Sequence, residues 1–286
     1  MPKPAYSLTL PRDRSTAVVF ASPHSGRDYP PSFLRRSVLP TRLLRSSEDA
    51  FVDLLFGSAP RQGAPLLAAL APRAWVDLNR DADELDPALI EGLVRGPPNP
   101  RVNSGLGVVP RVVASGRAIY SGKLKRVEAN TRITDVWRPY HDALQTLLDE
   151  SRATFGNAIL VDCHSMPHEA LEAACPRHAA RPDVVLGDRF GAAADSEIVD
   201  RMEAAFAGAG FRVARNAPFA GAFITQHYGR PSQGQHTVQI EIDRALYMNK
   251  ARVEPNANFD VIRRKISGVI AEICDIGRCD VAVAAE

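Results

Sequence analysis

Two histidines stand just past apolar runs that read as strands. His24 follows AVVFAS (17–22), and His164 follows AILVD (158–162). A late carboxylate, Glu241, lies within HTVQIEIDRALYM (236–248). In open α/β sheets, ligands gather at the carboxyl ends of strands. A zinc hydrolase typically uses two or three N/O ligands, an open position for water and a carboxylate base. Two loop histidines with nearby acids would supply that set. Asp162 and His164 are two apart, so on a continuing strand they share a face, and Asp162 would orient the imidazole. The plainer alternative is a pair of histidines that only cap loops. Neither HExxH nor CxxC occurs in the chain.

Other constellations carry further chemistry. Asp77-Leu78-Asn79-Arg80 places an amide beside a guanidinium, a pair suited to gripping a carboxylate. Its alternative is an Asx-type turn with a solvated arginine. PFAGAFITQHYGRP (218–231) reads as an ordered binding loop, or as a hairpin whose aromatics pack the core. Cys163, beside His164, raises the option of a cysteine hydrolase. Adjacent strand residues face opposite sides, however, so Cys163 should point into the core when His164 points to a site.

These residues need a scaffold. Short apolar runs alternate with helix-like stretches, which favours α/β: a three-layer sandwich with a mixed, largely parallel central sheet and helices on both faces. Strands are expected over 17–22, 65–71, 75–78, 158–162, 211–215 and 237–242. Helices are expected over 41–57, 139–155, 195–209 and 258–273, with Pro139 in a first turn and Asp195 as a cap. Residues 86–122 are rich in Pro and Gly and read as a long ordered loop insertion within a single domain spanning 1–286.

Composition narrows the classes. The chain has 286 residues, 35 Lys+Arg against 33 Asp+Glu, and a net charge of +2, so no general charge excess draws it to nucleic acid. No apolar run approaches the ~20 residues of a membrane helix. The N-terminus lacks a signal-peptide layout, which points to a cytoplasmic protein. Four cysteines are not needed as staples in a chain of this size. The 22 prolines imply many ordered loops, where function tends to sit.

Nine segments, in order, carry a family resemblance: SPHSGRDYP, SSEDAFVDLLF, WVDLNRDADELD, YSGKLKRVEANTRI, WRPYHDAL, LVDCHSMP, VVLGDRFG, FRVARNAPFAGAFITQHYGRP and HTVQIEIDRALYM. They run from near residue 20 to near residue 250. The chain resembles the N-formylglutamate amidohydrolase family, which is similar to zinc carboxypeptidases and aspartoacylase-like deacylases. That resemblance implies one Zn2+ held by His24 and His164, with Glu241 as the base that activates water. It implies Asn79 and Arg80 on the substrate α-carboxylate, a small-molecule N-acyl amino acid as partner, and a link to histidine degradation.

One position departs from the related peptidases. They keep a Glu three residues after the first His, and here that residue is Arg27. The third ligand must then come from elsewhere, and the resemblance implies Asp49, which best matches the acidic position the family keeps in SSEDAFVD, with Glu48 second and Asp28 third. Arg215, Arg132 and His227 are the candidates for the oxyanion. A glutamyl substrate has two carboxylates, so a second grip is expected from Arg230 or Arg111, with Tyr228 and Tyr120 as neutral donors. Hydrolysis of N-formyl-L-glutamate is the leading expectation. Another N-acyl amino acid, or an inactive ligand-binding homologue lacking the usual acid after His24, stand as alternatives.

Overall fold

The computed structural model describes residues 4–94, 96–174 and 181–278. Its centre is a seven-stranded sheet in the order β1-β3-β2-β4-β7-β5-β6. The strands are β1 (Tyr6–Thr9), β2 (Val18–Ser22), β3 (Leu66–Ala69), β4 (Ala158–Met166), β5 (Val184–Gly187), β6 (Val213–Arg215) and β7 (Gln235–Asp243). β3, β2, β4 and β7 run parallel, while β1 and β5 each pair antiparallel with their inner neighbour. The sheet is thus mixed with a parallel centre, as expected, and helices cover both faces.

Strand alternation sorts the apolar side chains into two cores. Val18, Phe20, Ile159, Val161 and Cys163 join one core, against helices Ser196–Gly208 and Phe259–Ile276. Val19, Ala21, Ala158 and Leu160 join the other, under helix Arg138–Phe155. That helix presents Tyr140, Leu144, Leu147 and Leu148 at helical spacing. Each large apolar side chain so buried contributes about 1.5–3 kcal/mol. The central strands carry nearly continuous apolar runs because both faces are covered.

On the second face the pattern changes towards the carboxyl ends. Leu160 gives way to Asp162 and His164 on β4, and Gln239 and Glu241 occupy matching register positions on β7. Polar side chains therefore fill the mouth of the sheet where apolar ones fill its middle.

Several expected elements differ. The helix expected over 41–57 breaks into Thr41–Leu44, a 3-10 turn Arg45–Ser47 and a short helix Val52–Leu55. Glu48 is extended and Phe51 is left-handed at φ 68°. The cause lies at Asp49, whose N–H donates to the carbonyl of His24 at 2.9 Å, a bond that a continuous helix would forfeit. Residues 75–78 form turns, not a strand, with the N–H of Asp77 bonded to Val108. β1 and β5 were not expected, and β4 extends four residues beyond Asp162, carrying His164 within the strand. Asp195 occupies the cap position without a side-chain cap bond. The described residues of the segment 86–122 are ordered by turns, a short helix Pro100–Asn103 and the bridge Val112–Ala118.

Candidate active site

The carboxyl ends of β2, β4 and β7 open into a cavity of about 170 Å³. His24, Asp49, His164 and Glu241 all line it and are buried. The loop carrying His24 passes close to the backbone after β3. A Cβ on Gly26 would collide with the carbonyl of Ala71, so only glycine lets the loop turn there.

Asp49 Oδ2 lies 2.9 Å from His164 Nδ1 and 3.4 Å from His24 Nδ1. The ligand atoms of this His–Asp–His group fall within 4.8 Å of one another. Each imidazole is backed by a second carboxylate. His24 Nε2 meets Asp77 Oδ1 at 2.7 Å, and His164 Nε2 lies 3.0 Å from Asp162 Oδ1. Such carboxylate–imidazole pairs fix the ring and direct the other nitrogen's lone pair at a metal. His24 Nδ1 is buried and makes no hydrogen bond, an orphan that a cation would satisfy. The donor set suits zinc and admits other first-row divalent ions.

The other oxygen of Asp49 is held separately. Arg244 Nη2 donates to Oδ1 at 2.7 Å, and the Ser165 hydroxyl donates to it at 3.3 Å. Burial works against the charge on Asp49, yet His164, His24 and Arg244 keep its pKa well below the usual carboxylate range. Burial likewise disfavours a charged His164, but Asp162 and Asp49 hold its pKa well above the ordinary value. Glu241 is different. Burial pushes its pKa up to about 7, against the pull of His164, and its Oε1 accepts from Gln239 Nε2 at 2.9 Å. A carboxylate near neutrality is suited to accepting and returning a proton.

The 77–80 segment is an Asx turn after all, with the N–H of Asn79 donating to Asp77 Oδ1 at 2.9 Å. Arg80 is nevertheless buried, not solvated. Trp137 Nε1 donates to the carbonyl of Arg80, and His141 Nε2 donates to that of Leu78, each at 2.9 Å. The start of helix Arg138–Phe155 therefore clamps the turn. Asn79 Oδ1 accepts from the N–H of Ile224 at 2.7 Å, which turns its amide nitrogen towards His164 and Asp162. Burial drives the pKa of His141 down to about 3, so this clamp is a neutral imidazole.

Several expected site residues stand elsewhere. Arg215 leaves the cavity because it lies on edge strand β6 and pairs with Asp200 and Glu203. Arg132 is buried but committed to Glu128, Tyr120 and the carbonyl of Trp75, and Tyr120 is its partner. Tyr228 bonds His141 Nδ1 at 2.9 Å and braces the clamp. His227 and Arg230 line an outer vestibule of about 440 Å³, not the inner cavity. Arg111 pairs with Asp86 at 2.8 Å. Glu48 turns to Tyr29 and Arg45 and stands outside the His–Asp–His group. The segment 218–231 holds neither a plain loop nor a hairpin but helix Phe223–Tyr228 after a tight turn at Gly221 (φ +112°). Cys163 lies in the core with its thiol pKa pushed well up by burial, which removes the thiolate that a cysteine hydrolase needs.

Sequence reasoning missed Arg73, Arg101 and Arg244, all of which line the cavity. Arg244 sits in the segment IEIDRALYM, three residues after Glu241, and Arg73 lies one helical turn before Asp77, whose Oδ2 it meets at 3.0 Å.

A mixed α/β sheet with a buried His–Asp–His group and a near-neutral carboxylate at its strand ends has the parts of a hydrolase. The chain belongs to the N-formylglutamate amidohydrolase family, whose family model matches residues 16–248. It is 32% identical over 247 residues to an N-formylglutamate deformylase of Pseudomonas aeruginosa, covering 85% of this chain and 86% of that one. A second deformylase, from Pseudomonas putida, is 31% identical over 209 residues, covering 71% of each. The crystal structure of N-formylglutamate amidohydrolase from Ralstonia eutropha JMP134 superposes with a TM-score of 0.89 at 36% identity, covering 96% of this chain and 98% of that one. The protein is accordingly an enzyme acting on amide C–N bonds. No described helix is long and apolar enough to cross a membrane.

Proposed function

We propose that this chain hydrolyses N-formyl-L-glutamate to formate and L-glutamate, as one α/β hydrolytic domain using a single zinc ion. The observation that carries the reading is the buried His–Asp–His group with Glu241 beside it, in a chain of this family. His24, Asp49 and His164 would hold the ion through His24 Nδ1, His164 Nδ1 and Asp49 Oδ2, the atoms that converge. A zinc ion there would polarise the formyl carbonyl and ease ionisation of the attacking water.

The chain's own groups supply the remaining steps. Glu241 accepts a proton from the water that attacks the formyl carbon. It returns that proton to the amine nitrogen as the C–N bond breaks, so formate and a free amino group leave together. Arg80, buried beside the cavity and clamped through its carbonyl, binds the α-carboxylate of the substrate. Asn79 uses its own polar atoms to hold His164, Asp162 and the start of helix Phe223–Tyr228, so its part is positioning.

Formate release from a panel of N-acyl amino acids tests the reading. N-formyl-L-glutamate should give the highest kcat/KM, above N-acetyl-L-glutamate and N-formyl-L-leucine. A clear preference for another acyl group or a neutral amino acid would replace this reading with a related deacylase.

A further inference from the structure

Four arginines line the inner cavity: Arg73, Arg80, Arg101 and Arg244. Three of them are engaged with the protein. Arg73 Nε donates to Asp77 Oδ2, and Arg244 spans Asp49, Ser165 and the carbonyl of Ser46. Arg80 uses Nε on the carbonyl of Leu106 and Nη1 on its neighbour's carbonyl, leaving Nη2 free. The Arg101 guanidinium takes no hydrogen bond or ion pair among the contacts of the described residues. Glu84 and Asp81 line the vestibule beside it without pairing to it.

The charge balance of the cavity points the same way. Asp77 answers Arg73 and Asp49 answers Arg244, whereas Arg80 has only the long pair to Glu84 at 3.9 Å, and Arg101 faces the same space with like charge. Burial lowers the pKa of Arg80, and the like charges of Arg73 and Arg101 add to this against the pull of Asp77 and Glu84. An anionic guest relieves that repulsion, and two carboxylates on one guest suit two guanidiniums.

The backbone under Arg101 is fixed. It belongs to helix Pro100–Asn103 in the Pro/Gly-rich segment, capped by Asn99, whose side chain accepts from the N–H groups of Arg101 and Val102 at 2.9 and 3.3 Å. Arg111, expected as a second grip, instead ties this segment down through Asp86 and the carbonyl of Asn103. Leu106, a few residues on, receives Arg80 Nε. The two guanidiniums are thus spaced by one braced segment. Arg230 and His227 line only the outer vestibule.

We infer that Arg101 binds the side-chain carboxylate of the substrate and sets the preference for an acidic over a neutral amino acid; the inference rests on the functional reading above. Arg80 takes one carboxylate, Arg101 the other, and the formyl group is left towards the His–Asp–His end.

The test combines binding and turnover in the intact protein. L-glutamate and L-glutamine are titrated calorimetrically into wild type, Arg101→Gln and Arg101→Lys. Hydrolysis of their N-formyl derivatives is measured in parallel. Arg101→Gln should weaken glutamate binding and raise KM for N-formyl-L-glutamate by about tenfold or more, the scale of a charge-assisted hydrogen bond. The glutamine compounds should change by less than about threefold on the same scale, because they lack the charge. Arg101→Lys should recover part of the loss. An Arg101→Gln protein that keeps the wild-type ratio of glutamate to glutamine in both assays overturns the role of Arg101. An Arg101-dependent preference in binding, without hydrolysis of either formyl compound by wild type, would keep that role and overturn the deformylase reading.

Discussion

Asp49 divides its two oxygens between different tasks. Oδ2 faces both imidazoles, and Oδ1 is taken by Arg244 and Ser165. Arg244 thereby leaves Asp49 one oxygen with which it would hold an ion. Arg244→Gln should weaken zinc affinity by about 10–100-fold, as is typical for groups that orient ligands. Competition with a chromophoric chelator would measure that loss apart from activity. Glu241→Gln should reduce kcat by about 10²–10⁴-fold, the range of a positioned base, while the zinc content stays at the wild-type level. The pH profile follows from the same residue. Its pKa is pushed up to about 7, and only the ionised form accepts a proton. A bound cation favours the ionised form, so kcat/KM should rise with pH through a limb at or below about 7. In Glu241→Gln that limb should vanish. A limb that persists unchanged would assign it to another group.

At the scale of elements, bends place the site more than regular strands do. The extended step at Glu48 and the left-handed Phe51 turn Asp49 inward from what would otherwise be a surface helix. The close approach at Gly26 serves His24 in the same way. Gly26→Ala should destabilise the fold by about 1–3 kcal/mol, the usual cost of inserting an atom into a filled space, read by urea denaturation. Cys163→Ala, on the opposite face of β4, should cost stability but leave kcat/KM within about threefold of wild type, because the cavity does not use that face. What was legible divides along this line. His24, Asp162, His164 and Glu241 could be found because strand ends and two-residue alternation are local patterns. The break before Asp49 depends on a hydrogen bond to His24, far away in sequence, and no local pattern encodes it. Arg215 looked suitable by type, but it sits on the edge strand β6, which pairs with β5 and not with the central strands. β1 escaped notice because an edge strand is defined by its partner, here β3.

Over the whole molecule, the two cores meet across one sheet, and the polar mouth lies at its parallel centre. Six of the nine segments that carry the family resemblance contribute residues to the cavity, and they meet only in three dimensions. His24, Asp49 and His164 come from separate parts of the chain, so an ion held there would join them. Such an ion would bind the folded state alone and would stabilise it by about 2.7 kcal/mol at a free concentration one hundred times Kd. Zinc should therefore raise Tm, and Asp49→Asn should abolish the rise while Glu48→Gln retains it, because Glu48 faces Tyr29 and Arg45.

Hydrolysis should require a metal ion held by His24, Asp49 and His164. The most direct test is formate release from N-formyl-L-glutamate by protein stripped of metal with a chelator, followed by stepwise return of zinc. The stripped protein should release no formate, and activity should recover fully at one zinc per chain. Full activity in protein shown by elemental analysis to be metal-free would contradict that requirement.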